Sequence, residues 1–252
     1  MLSKNQEKHI RQLQQLKYRR RTGLFVLEGE KMAMEALTGH GDHVEAVLAL
    51  PTWVVQAGPR LEAFRKLVTT ISEPQMKRLS ALKTPSPVLV VMRMPAVSTT
   101  WAFGAQGFAL YLDGIRDPGN MGTIIRIADW FGLDFVAASP DSVDFFNPKV
   151  VQASMASILR VPLAVVDRPR LSELPAGTEL WVADMAGSDV QLTGSRPARL
   201  LLAIGNESRG LSVEAARTAS RKIAIARHPA GRAESLNAAV ATGILCAQLI
   251  NQ

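Results

Sequence analysis

Two α/β domains in tandem, the second built on a mostly parallel sheet, are what this sequence predicts. Strand and helix patterns alternate in two successive runs along the 252 residues. The apolar strands of the second run lack the in-and-out alternation of a half-exposed sheet, which marks strands covered on both faces. Between the runs lies PAVSTTWAFGAQG (Pro95–Gly107), rich in small residues, Thr, Gly and Pro, with the composition of a linker. The expected division is a small first domain over 1–94, a linker over 95–107 and a second domain over 108–252.

The first run begins with Ser3 as a helix cap, and Ile10, Leu13 and Leu16 follow at helical spacing. This predicts one helix to about Leu16, closed by Lys17, Arg19, Arg20 and Arg21. Cations suit a helix C-terminus, but three consecutive arginines beside Tyr18 exceed that need, and phosphate contact is the sharper reading. Strands follow at LFVLEG, VEAVLAL, VTTI and VLVVMRM. Helices are expected over about Glu30–Leu37, Leu61–Leu67 and, capped by Ser72, to Leu82. The second run opens with the strand FALYLDG, then a helix over about Gly119–Phe131, the strand FVAAS and a helix after FFNPK. The strands VPLAVV, ELWVADM and RLLLAIG follow. A short helix opened by Ser212, the strand KIAIA and a long helix from about Ser235 complete it.

At 47% hydrophobic residues the chain can fill one large or two modest cores. The net charge of +7 suits an anionic partner, nucleic acid being the commonest, although a generic basic surface accounts for the charge alone equally well. The single cysteine, Cys246, excludes an intramolecular disulfide and a Cys-based zinc site, and its apolar neighbours mark it as a core residue. The four histidines show no metal-ligand spacing, so no metal is expected. The polar N-terminus lacks the apolar stretch of a secretory signal, and Glu7 weighs against a mitochondrial presequence. No apolar run is long enough to span a bilayer. The expected setting is cytoplasmic and reducing.

Ligands on parallel sheets gather beyond the carboxyl ends of the strands. Three such junctions carry polar residues that packing does not require. The first, DGIRDPGNMGTIIRIADWFG (Asp113–Gly132), places Asn120 and Gly122 at a helix mouth, where anions bind. It lacks the G-x-G-x-x-G of dinucleotide sites, which argues against a nucleotide-dependent dehydrogenase. The second, AIGNESRGLS (Ala203–Ser212), brackets Glu207 between Gly205 and Gly210; alone it reads as a glycine turn with a solvated Glu207–Arg209 pair. The third, HPAGRAESLNAA (His228–Ala239), has Ser235 as a helix cap and Asn237 in the first turn, a place that helix formation does not favour for Asn.

Together these segments carry a resemblance. NMGTIIR is similar to the first motif of the SpoU-type (TrmH-like) RNA ribose 2′-O-methyltransferases of the SPOUT superfamily, IGNESRG to the second and ESLNAAVA to the third. NPKVVQASMAS resembles the segment that usually follows the first motif, and the first domain resembles the L7Ae/L30e-type RNA-binding domain of many such enzymes. The likeness covers nearly the whole chain and is strongest over 108–252.

The resemblance implies a deep trefoil knot, a homodimer with the active site near the interface, and S-adenosylmethionine as cofactor. It implies catalytic or orienting roles for Asn120, Arg126, Glu207, Ser235 and Asn237. It implies cofactor contacts, largely through backbone, around Ile204, Gly205, Asn206, Arg227 and Leu236. The expected substrate is structured RNA, ribosomal RNA before transfer RNA, bound with the help of Lys17, Arg19, Arg20 and Arg21. A catalytically inactive RNA-binding protein of the same fold is the competing reading.

The chain departs from the family pattern at Arg227, His228 and Pro229, where Ile-Pro-Met is common, at Gln152 in place of an Arg, and at Ala156 in place of a Gly. The family proposal makes the Arg126 equivalent the general base. Because guanidinium stays protonated, the alternative is that Arg126 keeps its charge, holds a phosphate and stabilises the developing alkoxide. Apart from the motif, Arg126 would read as a surface ion pair with Asp129 or Asp117.

Overall fold

The computed structural model describes residues 2–250. The chain forms two compact units: residues 1–95 with 144–159, and residues 96–143 with 160–252. A segment between two strands of the second unit is therefore built into the first.

In the first unit a four-stranded sheet has the order β1 (Leu24–Glu28), β4 (Val88–Arg93), β2 (Val44–Ala49), β3 (Val68–Thr70). β4 pairs antiparallel with β1 and β2, and β3 runs parallel to β2. α1 (Lys4–Gln12) starts at the predicted Ser3, whose hydroxyl accepts from the Gln6 N–H while the Gln6 side chain accepts from the Ser3 N–H. It does not run on to Leu16. Leu13, 1% exposed, turns into the core with Leu48, Met76 and Leu89, and α2 (Leu16–Thr22) begins afresh.

α3 (Glu30–Gly39) and α5 (Glu73–Leu79) lie where the sequence places them, Ser72 and Gln75 forming the cap of α5. α4 (Pro51–Ala57) was not anticipated. Pro51 presets its first turn, Gly58 at φ 53° ends it, and Gly58–Phe64 is 3₁₀ turn where a helix over Leu61–Leu67 was expected.

α7 (Pro148–Ser154) completes this unit by packing on β1, with the Phe146 ring 4.9 Å from that of Phe25. Two residues that are not glycine, Met155 (φ 50°) and Ala156 (φ 73°), follow α7 in left-handed backbone.

The second unit is a six-stranded sheet in the order β10 (Arg221–Ala224), β8 (Thr178–Asp189), β9 (Arg199–Gly205), β5 (Gly107–Asp113), β6 (Val136–Ala138), β7 (Leu163–Val165). Every pairing is parallel. All seven residues of β5 are buried, as expected of a strand covered on both faces. Tyr111, Phe135, Leu180 and Leu201 lie in the core. Burial pushes the Cys246 thiol up to about 12, in keeping with a packed, inert side chain.

Trp101 and Phe103, from the expected linker, pack on this core, and the Trp101 indole N–H donates to the Arg170 carbonyl at 3.1 Å. The edge strand β10 pairs with Val182 through Lys222 and with Ser188 through Ile223, so β8 arches out of register in between. No helix among the described residues is long and apolar enough to cross a membrane.

Candidate active site

The carboxyl ends of β5 and β9 lie side by side, Asp113 opposite Gly205, and two of the three polar junctions start there. From β5 the chain turns into α6 (Pro118–Trp130). Asp117 caps this helix, accepting from the Asn120 N–H at 2.7 Å, and Pro118 occupies its first turn. This cap holds the Asn120 side chain at the helix mouth, half-buried.

From β9 the chain makes a closed loop. Asn206 and Gly210 exchange backbone hydrogen bonds of 3.0 and 2.8 Å, and the Asn206 side-chain oxygen accepts from the Ser208 and Arg209 N–H groups. Gly205 has to be glycine, since a Cβ would lie 2.6 Å from the Gly210 carbonyl carbon. Glu207 stands at the exposed tip.

The third junction ends in α9 (Ala238–Ile250), which packs along α6. Asn237 caps it, its Oδ1 accepting from the Ala239 and Val240 N–H groups at 3.0 and 3.2 Å. The cap is therefore Asn237 and not Ser235, where the sequence predicts it, and Asn237 does not lie inside the first turn. Both side chains suit a cap; burial of Ala238 and Ala239 against the domain starts the helix three residues later.

These three junctions meet. Asn120 donates from Nδ2 to Glu207 Oε1 and accepts at Oδ1 from Asn237 Nδ2 at 2.8 Å. A half-buried amide therefore bridges one residue 87 positions away and another 117 positions away. Asn237 is held at both ends, by Asn120 through its N–H and by the helix through its oxygen.

Arg126 lies further along α6 with its side chain exposed and makes no ion pair among the described residues. The surface pairs considered for it do not form: Asp129 holds Arg160 Nε at 3.1 Å, and Asp117 is the cap. Ser235, Arg227 and Leu236 belong to a stretch, 226–237, that is exposed throughout; Leu236 is 46% exposed. Ile204 is buried at the end of β9, with Gly205 and Asn206 half-buried beside it.

In the first unit Lys17, Arg20 and Arg21 are exposed on α2, with Lys17 and Arg21 over the Tyr18 ring at 4.9 and 4.8 Å. Arg19 is not part of that surface. It is 2% exposed, its Nη2 and Nε bind Asp144 at 2.6 and 3.1 Å, and its Nη1 donates to the Leu13 carbonyl. A helix presents consecutive residues to different sides, so one member of the run faces inward and serves the fold. No group of three or more His, Cys, Asp or Glu among the described residues is placed to hold a metal.

A family model described as SpoU rRNA Methylase family matches residues 107–247, the unit that carries all three junctions. The chain belongs to the SpoU rRNA methylase family. A second model, an MRM3-like substrate binding domain, matches residues 4–90 of this SpoU methylase. It is 29% identical over 249 residues to the 23S rRNA (guanosine(2553)-2'-O)-methyltransferase RlmP of Bacillus subtilis, across 96% of this chain and 95% of that one. A solved structure of a putative RNA methyltransferase of the TrmH family from Porphyromonas gingivalis superposes with a TM-score of 0.85 at 34% identity, covering 98% of both chains. The AdoMet-bound rRNA methyltransferase from Sinorhizobium meliloti gives 0.85 at 30% identity, over 98% of this chain and 95% of that one.

Sequence reasoning about this SpoU methylase missed a group just behind the loops. Asp113, with its side chain 1% exposed, accepts from Arg168 Nε at Oδ1 and from the Ser212 N–H at Oδ2, both at 2.7 Å. Arg168 also reaches Asp141 at 2.7 Å. Burial lowers the basicity of Arg168, but Asp113 and Asp141 outweigh it and hold the guanidinium above its ordinary value. Burial raises Asp141 in turn; hydrogen bonds from Ser139 and Arg168 outweigh that and hold its carboxyl low. Burial and the Asp113 charge raise the Tyr111 phenol. Asp113 opens the first polar junction, seven residues before the first motif, but nothing in the sequence near Arg168 marks it.

Proposed function

We propose that this chain transfers a methyl group from S-adenosylmethionine to a ribose 2′-hydroxyl of ribosomal RNA. The observation that carries the reading is the Glu207–Asn120–Asn237 bridge, which gathers three remote segments at the ends of parallel strands. The names of RlmP and of the AdoMet-bound Sinorhizobium enzyme support the substrate and the cofactor.

The residues present fit the cofactor. Gly205 and Gly210 leave backbone uncovered by side chains, Leu236 offers apolar surface, and the residues of the 226–237 stretch are exposed. Ile204, Gly205, Asn206, Arg227 and Leu236 are the residues assigned to hold it, chiefly through backbone. When bound, S-adenosylmethionine supplies an electrophilic methyl on a sulfonium.

The chain's own task is to hold a ribose hydroxyl and ease the departure of its proton, since a neutral hydroxyl is a weak nucleophile. Asn120 and Asn237 fix the geometry of the loops around it. Glu207 Oε2 has no partner among the described residues and offers the hydroxyl an acceptor. The Arg126 guanidinium, which makes no ion pair among the described residues, holds the neighbouring phosphate and stabilises the developing alkoxide. Ser235 orients the ribose from the third loop. Lys17, Arg20 and Arg21 bind RNA phosphates.

The homodimer and the knotted chain path implied by the family resemblance belong to the same reading. Exposed Trp130 and Val240, on two helices that pack together, support the dimer.

The test is transfer of labelled methyl from S-adenosylmethionine to ribosomal RNA lacking this modification, followed by nucleoside analysis. Label in a 2′-O-methyl nucleoside is expected. Label on a base, label only in transfer RNA, or none would overturn the proposal.

A further inference from the structure

The loop that carries Glu207 is pinned at both ends to one spot on β5. At its start, Asn206 Nδ2 donates to the Gly114 carbonyl at 2.9 Å; at its far end, the Ser212 N–H donates to Asp113 Oδ2 at 2.7 Å. Gly114, at φ 72°, lets the loop come this close, with Asn206 Cβ 3.9 Å and Arg168 Nη2 3.4 Å from where its own Cβ would stand. Its N–H is held by Ser139 Oγ at 2.8 Å.

Asp113 can hold the loop only as long as its own charge is matched. The carboxylate is withdrawn from water, and a buried carboxylate left without its cation draws in solvent. Arg168 is the matching cation. Its Nε binds Asp113 Oδ1 while its Nη2 binds Asp141, so the planar guanidinium spans two carboxylates and is itself fixed in place.

We propose that Arg168, acting through Asp113, is a positioning residue that holds the Asn206–Ser212 loop in the register that sets Glu207 against Asn120. Arg168 touches neither the bridge nor any atom assigned to the reaction. The inference rests on the proposed methyl transfer for its kinetic consequence, but its structural part stands without it.

The experiment compares the full chain with Arg168→Gln and with the double variant Arg168→Gln/Asp113→Asn. Amide hydrogen exchange and steady-state methylation of ribosomal RNA are the readouts. In Arg168→Gln, exchange of the 206–212 amides is expected to rise about tenfold or more while those of Phe108–Leu112 stay protected. kcat is expected to fall about tenfold, with KM for RNA within about twofold.

The double variant is expected to recover most of both losses. A carboxamide at position 113 still accepts from the Ser212 N–H and needs no cation. If Arg168→Gln does not fold, Arg168→Lys replaces it, since an ammonium lacks the rigid planar fork that fixes the two carboxylates, and the same exchange confined to the loop is expected. Unchanged loop exchange, equal acceleration in β5, or a double variant as impaired as the single one would overturn the proposal. If the parental chain transfers no methyl at all, the proposed function fails, and hydrogen exchange still decides the role of Arg168.

Discussion

Asn237 donates its side-chain N–H to Oδ1 of Asn120 across 2.8 Å, and the two residues lie 117 positions apart. This bond fixes which way the Asn120 amide faces, because the acceptor end is occupied and the donor end is left to Glu207. Asn120→Ala removes both links while altering little packing. Methyl transfer is expected to fall by about 100-fold, as when a preorganised polar group is lost from a site, with a thermal midpoint close to that of the parent. Asn120→Asp keeps the acceptor but sets a carboxylate against Glu207, and is expected to be as inactive. Parallel rate and melting measurements check both.

Arg126 is exposed and makes no ion pair among the described residues, so it contributes little to folding. Arg126→Ala is expected to abolish turnover with no loss of stability beyond about 0.5 kcal/mol. Arg126→Lys keeps the charge but not the planar fork and is expected to retain only a small fraction of the rate. Turnover of either variant at the parental rate would exclude Arg126 from the site.

The basic run on α2 divides by direction. Arg19→Ala strands Asp144 in a largely buried position and is expected to cost about 3 kcal/mol of stability in denaturant unfolding. Arg20→Ala and Arg21→Ala leave stability unchanged. Each is expected to weaken RNA binding and to reduce the salt dependence of log Kd by about one counterion. Titration at several salt concentrations separates the two classes.

How much of this was legible depends on the distance over which residues act. Local signals served well. Ser3 and Ser72 cap the helices they promise, the non-alternating strands lie in a parallel sheet, and the three motifs converge as the family resemblance implies. Long-range choices left no mark. The sequence offers both Ser235 and Asn237 as a cap, and burial of Ala238 decides between them. Leu13 fits the apolar stripe of a continuous helix, yet it turns into the core and ends that helix. α7 follows the first motif in the chain but finds its apolar partner in β1. Arg168 looks like any surface arginine until Asp113 is placed beside it.

Ala156 stands where the family pattern has glycine, and its backbone lies in the left-handed region at φ 73°. A side chain there is strained, and glycine is not. Ala156→Gly is expected to stabilise the chain by about 1 kcal/mol, read as a higher denaturation midpoint with unchanged slope.

The central claim is that the three loops form one methyl-transferring site acting on a ribose of ribosomal RNA. Mapping 2′-O-methyl nucleotides across ribosomal RNA from cells with the gene, without it, and complemented with Asn120→Ala tests this most directly. The account predicts that a ribosomal RNA 2′-O-methyl mark present in the first is missing from the second and is not restored in the third. Identical maps from all three would contradict it.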